Sequence, residues 1–257
     1  PVTRTWLVFL SNRVHPDGKG DVTPLRARIA TIVGSAILEV PAGIAQPLRM
    51  TGIDPGPTGT RIPRVGPPVL NGVDVLKAEN FRRLAGRRVG LVTNHTGITA
   101  DGESTIDLLA SAKTLSLVAL FSPEHGIRGT LDQSVIKSDR DQKTGLPIYS
   151  LYGETNRPTG EMLEGIDTLV YDIQDVGVRF YTYETTLAYV LEEAAKRKIK
   201  VVVLDRVNPI NGWMVEGPAL EKETASFVGY FPGSPIRHGM TVGELALLFN
   251  AEKEIRA

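Results

Sequence analysis

The sequence predicts an α/β fold in which a parallel sheet is flanked by helices and polar residues gather at one end of its strands. Four apolar, β-branched runs are the first sign: Val89–Thr93, Leu117–Phe121, Leu169–Tyr171 and Val201–Leu204, none alternating with polar residues. Such runs suit strands buried on both faces, as in a parallel sheet between two helical layers. The second sign is the polar cluster at the end of each run: Asn94-His95, Ser122-Pro123-Glu124-His125, Asp172-Ile173-Gln174-Asp175 and Asp205-Arg206-Val207-Asn208. Ligands of open α/β sheets bind outside the carboxyl ends of the strands, so the candidate chemistry falls along one rim.

Taken in order, Thr5–Leu10 reads as a buried strand and His15-Pro16-Asp17-Gly18 as a turn. Pro24 then opens a helix with Leu25, Ile29, Ile32 and Val33 at helical spacing. One strand and one helix bury too little to fold alone. Residues 1–38 are therefore expected to be the end of another domain. Residues 39–68 are crowded with Pro and Gly (Gly52, Pro55, Gly56, Pro57, Gly59, Pro63 among them), the composition of a linker.

The main domain, 69–257, is expected to place strands at 87–93, 115–121, 148–151, 168–172 and 199–204. Helices are expected around 104–112, 158–163 and 180–197, with a long polar loop over 122–146. Leu187, Val190, Leu191 and Ala194 make the apolar stripe of the long helix, and Glu192–Lys196 and Glu193–Arg197 pair on its wet side. Thr241 with Glu244 three residues on is a capping box for a last helix. Strands alternating with helices give a right-handed parallel sheet.

The balance of 29 basic and 29 acidic residues gives no electrostatic footprint for nucleic acid or an anionic membrane. With no cysteine, disulfides and thiolate metal sites are excluded. No run reaches the length of a membrane span and no signal peptide is visible. The chain opens at Pro1 in what reads as mid-domain and stops at Ala257 within a helical pattern, which suggests a piece of a longer polypeptide.

Glu124 is the first candidate for chemistry. A carboxylate at a strand end can point into the crevice and, if apolar neighbours shield it, suits general acid catalysis, although it could equally cap a turn. Asp172 and Asp175 add two carboxylates, with Arg179, Tyr181 and Tyr183 just beyond. One of the two acids is expected to cap the next helix. Asp205-Arg206-Val207-Asn208 is either a salt-bridged strand end or a clamp for an anionic group. Glu216, Arg237 and His238 lie in the long loop after the last strand, where recognition residues gather. His95 and His238 read equally well as structural histidines, and Glu184 reads as a helix-start residue favoured by the dipole.

Several motifs are absent or misleading. Ser134-Val135-Ile136-Lys137 and Lys143-Thr144-Gly145 match signatures of serine β-lactamases, but both fall in one short polar loop and are chance matches. Neither a dinucleotide fingerprint nor a phosphate-binding loop is present, and no cofactor is expected. Glu124, His125, Asp172 and His238 could hold a divalent metal in principle, but zincin spacing is missing and none is expected.

Residues from about 69 to 257 resemble the Rossmann-like N-terminal domain of the exo-β-N-acetylmuramidases, peptidoglycan hexosaminidases long catalogued as a domain of unknown function. The resemblance rests on Gly90-Leu-Val-Thr-Asn-His-Thr-Gly97, Ser122-Pro-Glu-His-Gly-Ile-Arg-Gly129 and Thr144-Gly-Leu-Pro-Ile-Tyr-Ser-Leu-Tyr-Gly153. It continues through Asp172-Ile-Gln-Asp-Val-Gly-Val-Arg-Phe-Tyr-Thr-Tyr183, Val215-Glu-Gly-Pro218 and Arg237-His-Gly-Met-Thr241. The family usually carries Pro at positions 95 and 207 and an apolar residue or Ser at 184, where this chain has His95, Val207 and Glu184. Residues 1 to about 36 resemble the last strand and helix of a serine β-lactamase-like hydrolase, through Trp6-Leu-Val-Phe-Leu-Ser-Asn-Arg-Val-His-Pro16.

The resemblance implies release of terminal, non-reducing β-linked N-acetylmuramic acid from peptidoglycan fragments in an extracytoplasmic setting, with the family's smaller C-terminal domain missing here. Glu124 is then the general acid/base, and Glu216 or Asp172 the second catalytic group, unless the sugar's acetamido group is itself the nucleophile. Asn94, His125, Asp175, Arg179, Tyr181, Tyr183, Arg206, Asn208, Arg237 and His238 are the expected sugar-binding residues. Arg179, Arg206 or Arg237 would pair with the lactyl carboxylate of muramic acid. The alternative is a non-catalytic peptidoglycan-binding module attached to the β-lactamase-like hydrolase.

Overall fold

The computed structural model describes residues 69–124, 127 and 139–257. The strand, helix and linker expected before residue 69, and His125, lie outside the described residues. Val69–Ala257 forms one compact unit. Its elements are α1 (Gly72–Ala78), β1 (Arg88–Thr93), α2 (Thr105–Ser111), β2 (Ser116–Ser122), β3 (Asp139–Arg140) and β4 (Pro147–Ser150). They continue with β5 (Thr168–Asp172), α3 (Thr182–Arg197), β6 (Lys200–Val203) and α4 (Val242–Glu252).

Among the described residues the strands form one six-stranded sheet in the order β3-β4-β2-β1-β5-β6. Only the two-residue β3 runs antiparallel to its neighbour; the other pairings are parallel. The chain winds outward from β1 in both directions, so the strand order reverses between β1 and β5. A crevice opens at that point in doubly wound sheets.

Helices cover both faces. Val92, Phe121, Leu169 and Tyr171 pack with Leu187, Val190, Leu191 and Ala194 of α3 and Leu245 and Phe249 of α4. Val89, Leu91, Leu120 and Val170 pack with Val73 and Leu76 of α1 and Ile106 and Leu109 of α2. Side chains alternate between faces, but both faces are apolar, which explains why the strands read as unbroken apolar runs. The β1–β2 pairing slips between Val89 and Gly90: Val89 lies opposite Leu117 and Gly90 opposite Ala119, leaving Val118 as an extra residue.

Two close contacts set the helix positions. The Gly72 amide donates to Asp205 O at 2.7 Å, bringing α1 onto the end of β6. A β-carbon at position 72 would stand 2.5 Å from the Asp205 nitrogen, so only glycine fits there. At α4, Thr241 and Glu244 form the expected capping box. Asp205 adds acceptors for the Gly243 amide at 2.7 Å and the Thr241 hydroxyl at 2.8 Å.

Two expectations need correction. The helix expected at 158–163 is a run of turns, Leu163 N bonding to the oxygens of Thr159 and Gly160. Pro158 and Gly160 keep so short a segment from sustaining a helical ladder. The helix α1 was not legible, because Gly72 opens it and its apolar stripe is only Val73 and Leu76. No helix of the described residues is long and apolar enough to cross a membrane.

Candidate active site

The rim is built from the ends of β1, β2, β5 and β6, the first turn of α3 and the long loop before α4. Glu124 leaves β2 by way of Pro123 and is partly buried. The Thr182 hydroxyl, at the first residue of α3, donates to Glu124 Oε2 at 2.6 Å. Tyr183 donates to the Glu124 carbonyl at 3.3 Å. Tyr181 and Tyr183 meet edge to face, with ring centroids 4.8 Å apart. Tyr183 is buried, so it offers its hydroxyl rather than a stacking face, and burial pushes its pKa up to about 12. Tyr181 is raised too, first by burial and then by the charges of Asp175 and Glu124, which places it within electrostatic reach of both acids.

Asn94, at the end of β1, accepts from the Thr96 amide at 2.9 Å and the Thr96 hydroxyl at 2.6 Å. Its side-chain nitrogen is buried. Asn94 also touches the Tyr183 phenol. The carboxylate of Glu124 and the amide of Asn94 are thus joined through the first turn of α3.

Asp172 has a different place. Strand alternation turns its side chain toward the α1/α2 layer, away from Tyr171 and the α3 side. It is 0% exposed and accepts from Arg206 Nε at 2.7 Å and from the Thr105 hydroxyl at 2.5 Å. Arg206 also donates to Ile98 O at 3.0 Å. Burial outweighs these partners and leaves the carboxyl above its ordinary range. The pair knits β5, β6 and α2 together as a structural anchor, with both charged groups buried against each other.

The remaining expected residues divide between the rim and the loop scaffold. Glu216 is exposed and ion-paired with Arg237, whose Nη2 also donates to Ile210 O at 3.2 Å. Arg179 donates to Pro218 O at 2.5 Å and Ser234 O at 2.6 Å, pinning the long loop. Asn208 donates to Met240 O at 2.9 Å and accepts from the Ile210 amide at 3.1 Å, and so shapes the same loop. These residues take backbone partners because the loop lacks a ladder of its own, and buried peptide groups must be satisfied.

Asp175, Glu184 and His238 do come together. His238 Nε2 lies 2.8 Å from Glu184 Oε1 and 3.6 Å from Asp175 Oδ2, and all three residues are buried. Their ligand atoms fall within 4.8 Å of one another, the one such grouping of potential metal donors found among the described residues. Burial alone would lower the imidazole pKa, but the adjoining carboxylates of Asp175 and Glu184 carry it up to about 9. Burial raises the Glu184 carboxyl despite the histidine. Sequence reasoning missed Glu184 as a partner of this cluster. Position in the first turn of a helix does not distinguish a solvated carboxylate from one covered by a distant loop.

Fold and rim together define a doubly wound α/β domain with a carboxylate-bearing rim at its strand ends. Residues 89–257 match the family model described as exo-beta-N-acetylmuramidase NamZ, N-terminal, and the chain belongs to that family. It is 50% identical over 192 residues to the peptidoglycan beta-N-acetylmuramidase NamZ of Bacillus subtilis (strain 168), an alignment covering 74% of this chain and 46% of that protein. Two crystal structures of DUF1343 family proteins from Bacteroides fragilis NCTC 9343 share the fold. One is 49% identical with a TM-score of 0.67, covering 72% of this chain and 46% of that one. The other is 40% identical with a TM-score of 0.62, covering 72% and 48%. The chain thus spans just under half the length of these relatives.

Proposed function

We propose that the protein is an exo-acting β-N-acetylmuramidase, releasing terminal non-reducing N-acetylmuramic acid from peptidoglycan fragments, with Glu124 as general acid/base. The setting of Glu124 carries this reading. It is a partly buried carboxylate at the end of β2, held by the Thr182 hydroxyl at 2.6 Å, with two tyrosines beside it. The name of the Bacillus relative supports the substrate class. Glu124 protonates the glycosidic oxygen as the bond to the anomeric carbon breaks, then takes a proton from the incoming water. With Asp172 occupied by Arg206 and Glu216 by Arg237, the sugar's own acetamido group is the nucleophile that fits this rim best. The Asn94 side-chain nitrogen, beside the Tyr183 hydroxyl, can hold it in line.

Glu124→Gln in the full-length protein tests the reading. Turnover of a chromogenic muramide should fall by about two to four orders of magnitude with the circular dichroism spectrum unchanged. Near-wild-type turnover would remove Glu124 from the mechanism, and binding without turnover in the wild type would favour a binding module. The likeness of residues 1 to about 36 to a serine β-lactamase-like hydrolase stands as a separate proposal, to be checked by labelling the full-length protein with a β-lactam probe.

A further inference from the structure

Asp175, Glu184 and His238 come from three separate stretches of chain: the β5–α3 connection, the first turn of α3, and the loop entering α4. The Met240 amide donates to His238 Nδ1 at 3.2 Å. In the neutral ring that contact places the one hydrogen on Nε2, and in the charged ring Nε2 is protonated as well. Either way Nε2 presents an N–H to the two carboxylates. A metal ion at this cluster would need the Nε2 lone pair, and so would have to expel that hydrogen and set an Nδ1–H against the Met240 amide. The arrangement fits a shared proton, not a cation.

No aligned hydrogen bond closes at Nε2, and Asp175 Oδ1 is buried without a partner. Asp175 Oδ2 also accepts from the Gly177 amide at 2.6 Å. Glu184 Oε1 at 2.8 Å is the near acceptor for the proton, while Asp175 Oδ2 at 3.6 Å stands beyond hydrogen-bond reach and acts through its charge. Other groups bear on the cluster from every side. Arg179 acts on Glu184, Tyr171 of β5 senses both carboxylates, and Tyr181 senses Asp175. Arg237, beside His238, is already paired with Glu216.

Glu184 stands two residues after Thr182, whose hydroxyl holds Glu124. We propose that Asp175, Glu184 and His238 form a buried triad of positioning residues, the proton held between His238 and Glu184 with Asp175 acting by its charge, that fixes the first turn of α3 and, through Thr182, the carboxylate of Glu124. The catalytic consequence rests on the muramidase reading; the triad itself does not. A second proton on the ring turns Nδ1 from acceptor to donor and displaces the Met240 amide. Protonation is thereby coupled to the backbone leading into α4.

The test is an NMR titration of the full chain between about pH 5 and pH 10, following the His238 ring nitrogens and the Glu124 side-chain carboxyl carbon. In the wild type His238 titrates well above the ordinary histidine range, and the Glu124 signal shows an inflection at the same pH. In Glu184→Gln the His238 titration should fall by about one pH unit or more, and the Glu124 inflection should move with it. Asp175→Asn should lower the His238 titration too, and serves if the first variant does not fold. An unmoved histidine in both variants overturns the triad. A Glu124 signal blind to His238 overturns the positioning role. Equimolar Zn²⁺ that raises the wild-type melting temperature and broadens the His238 signals overturns the shared proton in favour of a metal site.

Where the wild type turns over a muramide, the alkaline limb of kcat should follow His238 in each variant while KM stays nearly constant. A wild type without turnover sinks the muramidase reading alone, because the titration still decides the triad.

Discussion

Replacing Arg206 with methionine should be among the most damaging single changes in the domain, and the damage should depend on pH. The wild-type pair is enclosed, with side chains 4% and 0% exposed and Arg206 Nε 2.7 Å from Asp172 Oδ1. Arg206→Met keeps most of the buried volume but leaves Asp172 with the Thr105 hydroxyl and no opposite charge. Breaking a buried pair from one side costs about 3–5 kcal/mol, a large share of the roughly 5–15 kcal/mol that holds a typical domain. Without the guanidinium the folded-state pKa of Asp172 rises further, while the unfolded value stays near 3.9. A raised folded-state pKa favours the folded state at low pH and is lost as pH rises. The unfolded state is common to both proteins, so the penalty should shrink on acidification by about 1.4 kcal/mol per pH unit between the variant's folded-state pKa and the wild type's, itself already raised. Urea unfolding followed by circular dichroism at pH 7 and pH 5 measures both parts, and Asp172→Asn in the same background should recover most of the loss. A loss under about 1 kcal/mol at pH 7, or one that is undiminished at pH 5, would refute the anchoring role.

Two further expectations can be checked by unfolding. His238 titrates at about 9 rather than 6.5, so its contribution is fully present below pH 6.5 and lost as pH rises through 9. The domain should thus lose about 3 kcal/mol across that window, and His238→Gln should flatten the decline; an equally steep decline in the variant would count against it. Gly72→Ala would put a β-carbon 2.5–2.6 Å from the backbone of Leu204 and Asp205, where nothing flexible can yield. It should cost about 1–3 kcal/mol, and an unchanged melting temperature would show that α1 can shift at no cost.

The sheet was legible because its strands are apolar on both faces and end in polar clusters, a pattern that Val89–Thr93 and Thr168–Asp172 carry without ambiguity. The capping box at Thr241 was legible from local spacing alone, but the start of α3 was not: its N-cap is Tyr181, without a side-chain cap, and neither Asp172 nor Asp175 caps it. What sequence could not reveal was the direction of a side chain at a strand end. Asp172 and Asp175 are three residues apart, yet one serves the α1/α2 face and the other meets His238 beneath the rim. Glu184 looked like an ordinary helix-start acid because its partner lies 54 residues later in the chain, and only the folded loop brings His238 to it. The partners of the arginines were hidden for a related reason: Arg179 and Arg206 sit near the rim in sequence, and the folded chain sets each against carbonyls or a carboxylate of the scaffold.

The slip between β1 and β2 has a bearing on Glu124 that lies upstream of any chemistry. Leu117 packs toward α1 and α2, but Val118 and Ala119 both pack toward α3 and α4 before alternation resumes with Leu120. The bulge is a parity change, and every later side chain of β2 inherits it. Removing one residue there would exchange the sides taken by Leu120 and Phe121, leaving two bulky groups facing the wrong layers. Glu124 would then leave the sheet on the side opposite Thr182. Counting residues in this strand matters more to the acid's whereabouts than the identity of any one of them.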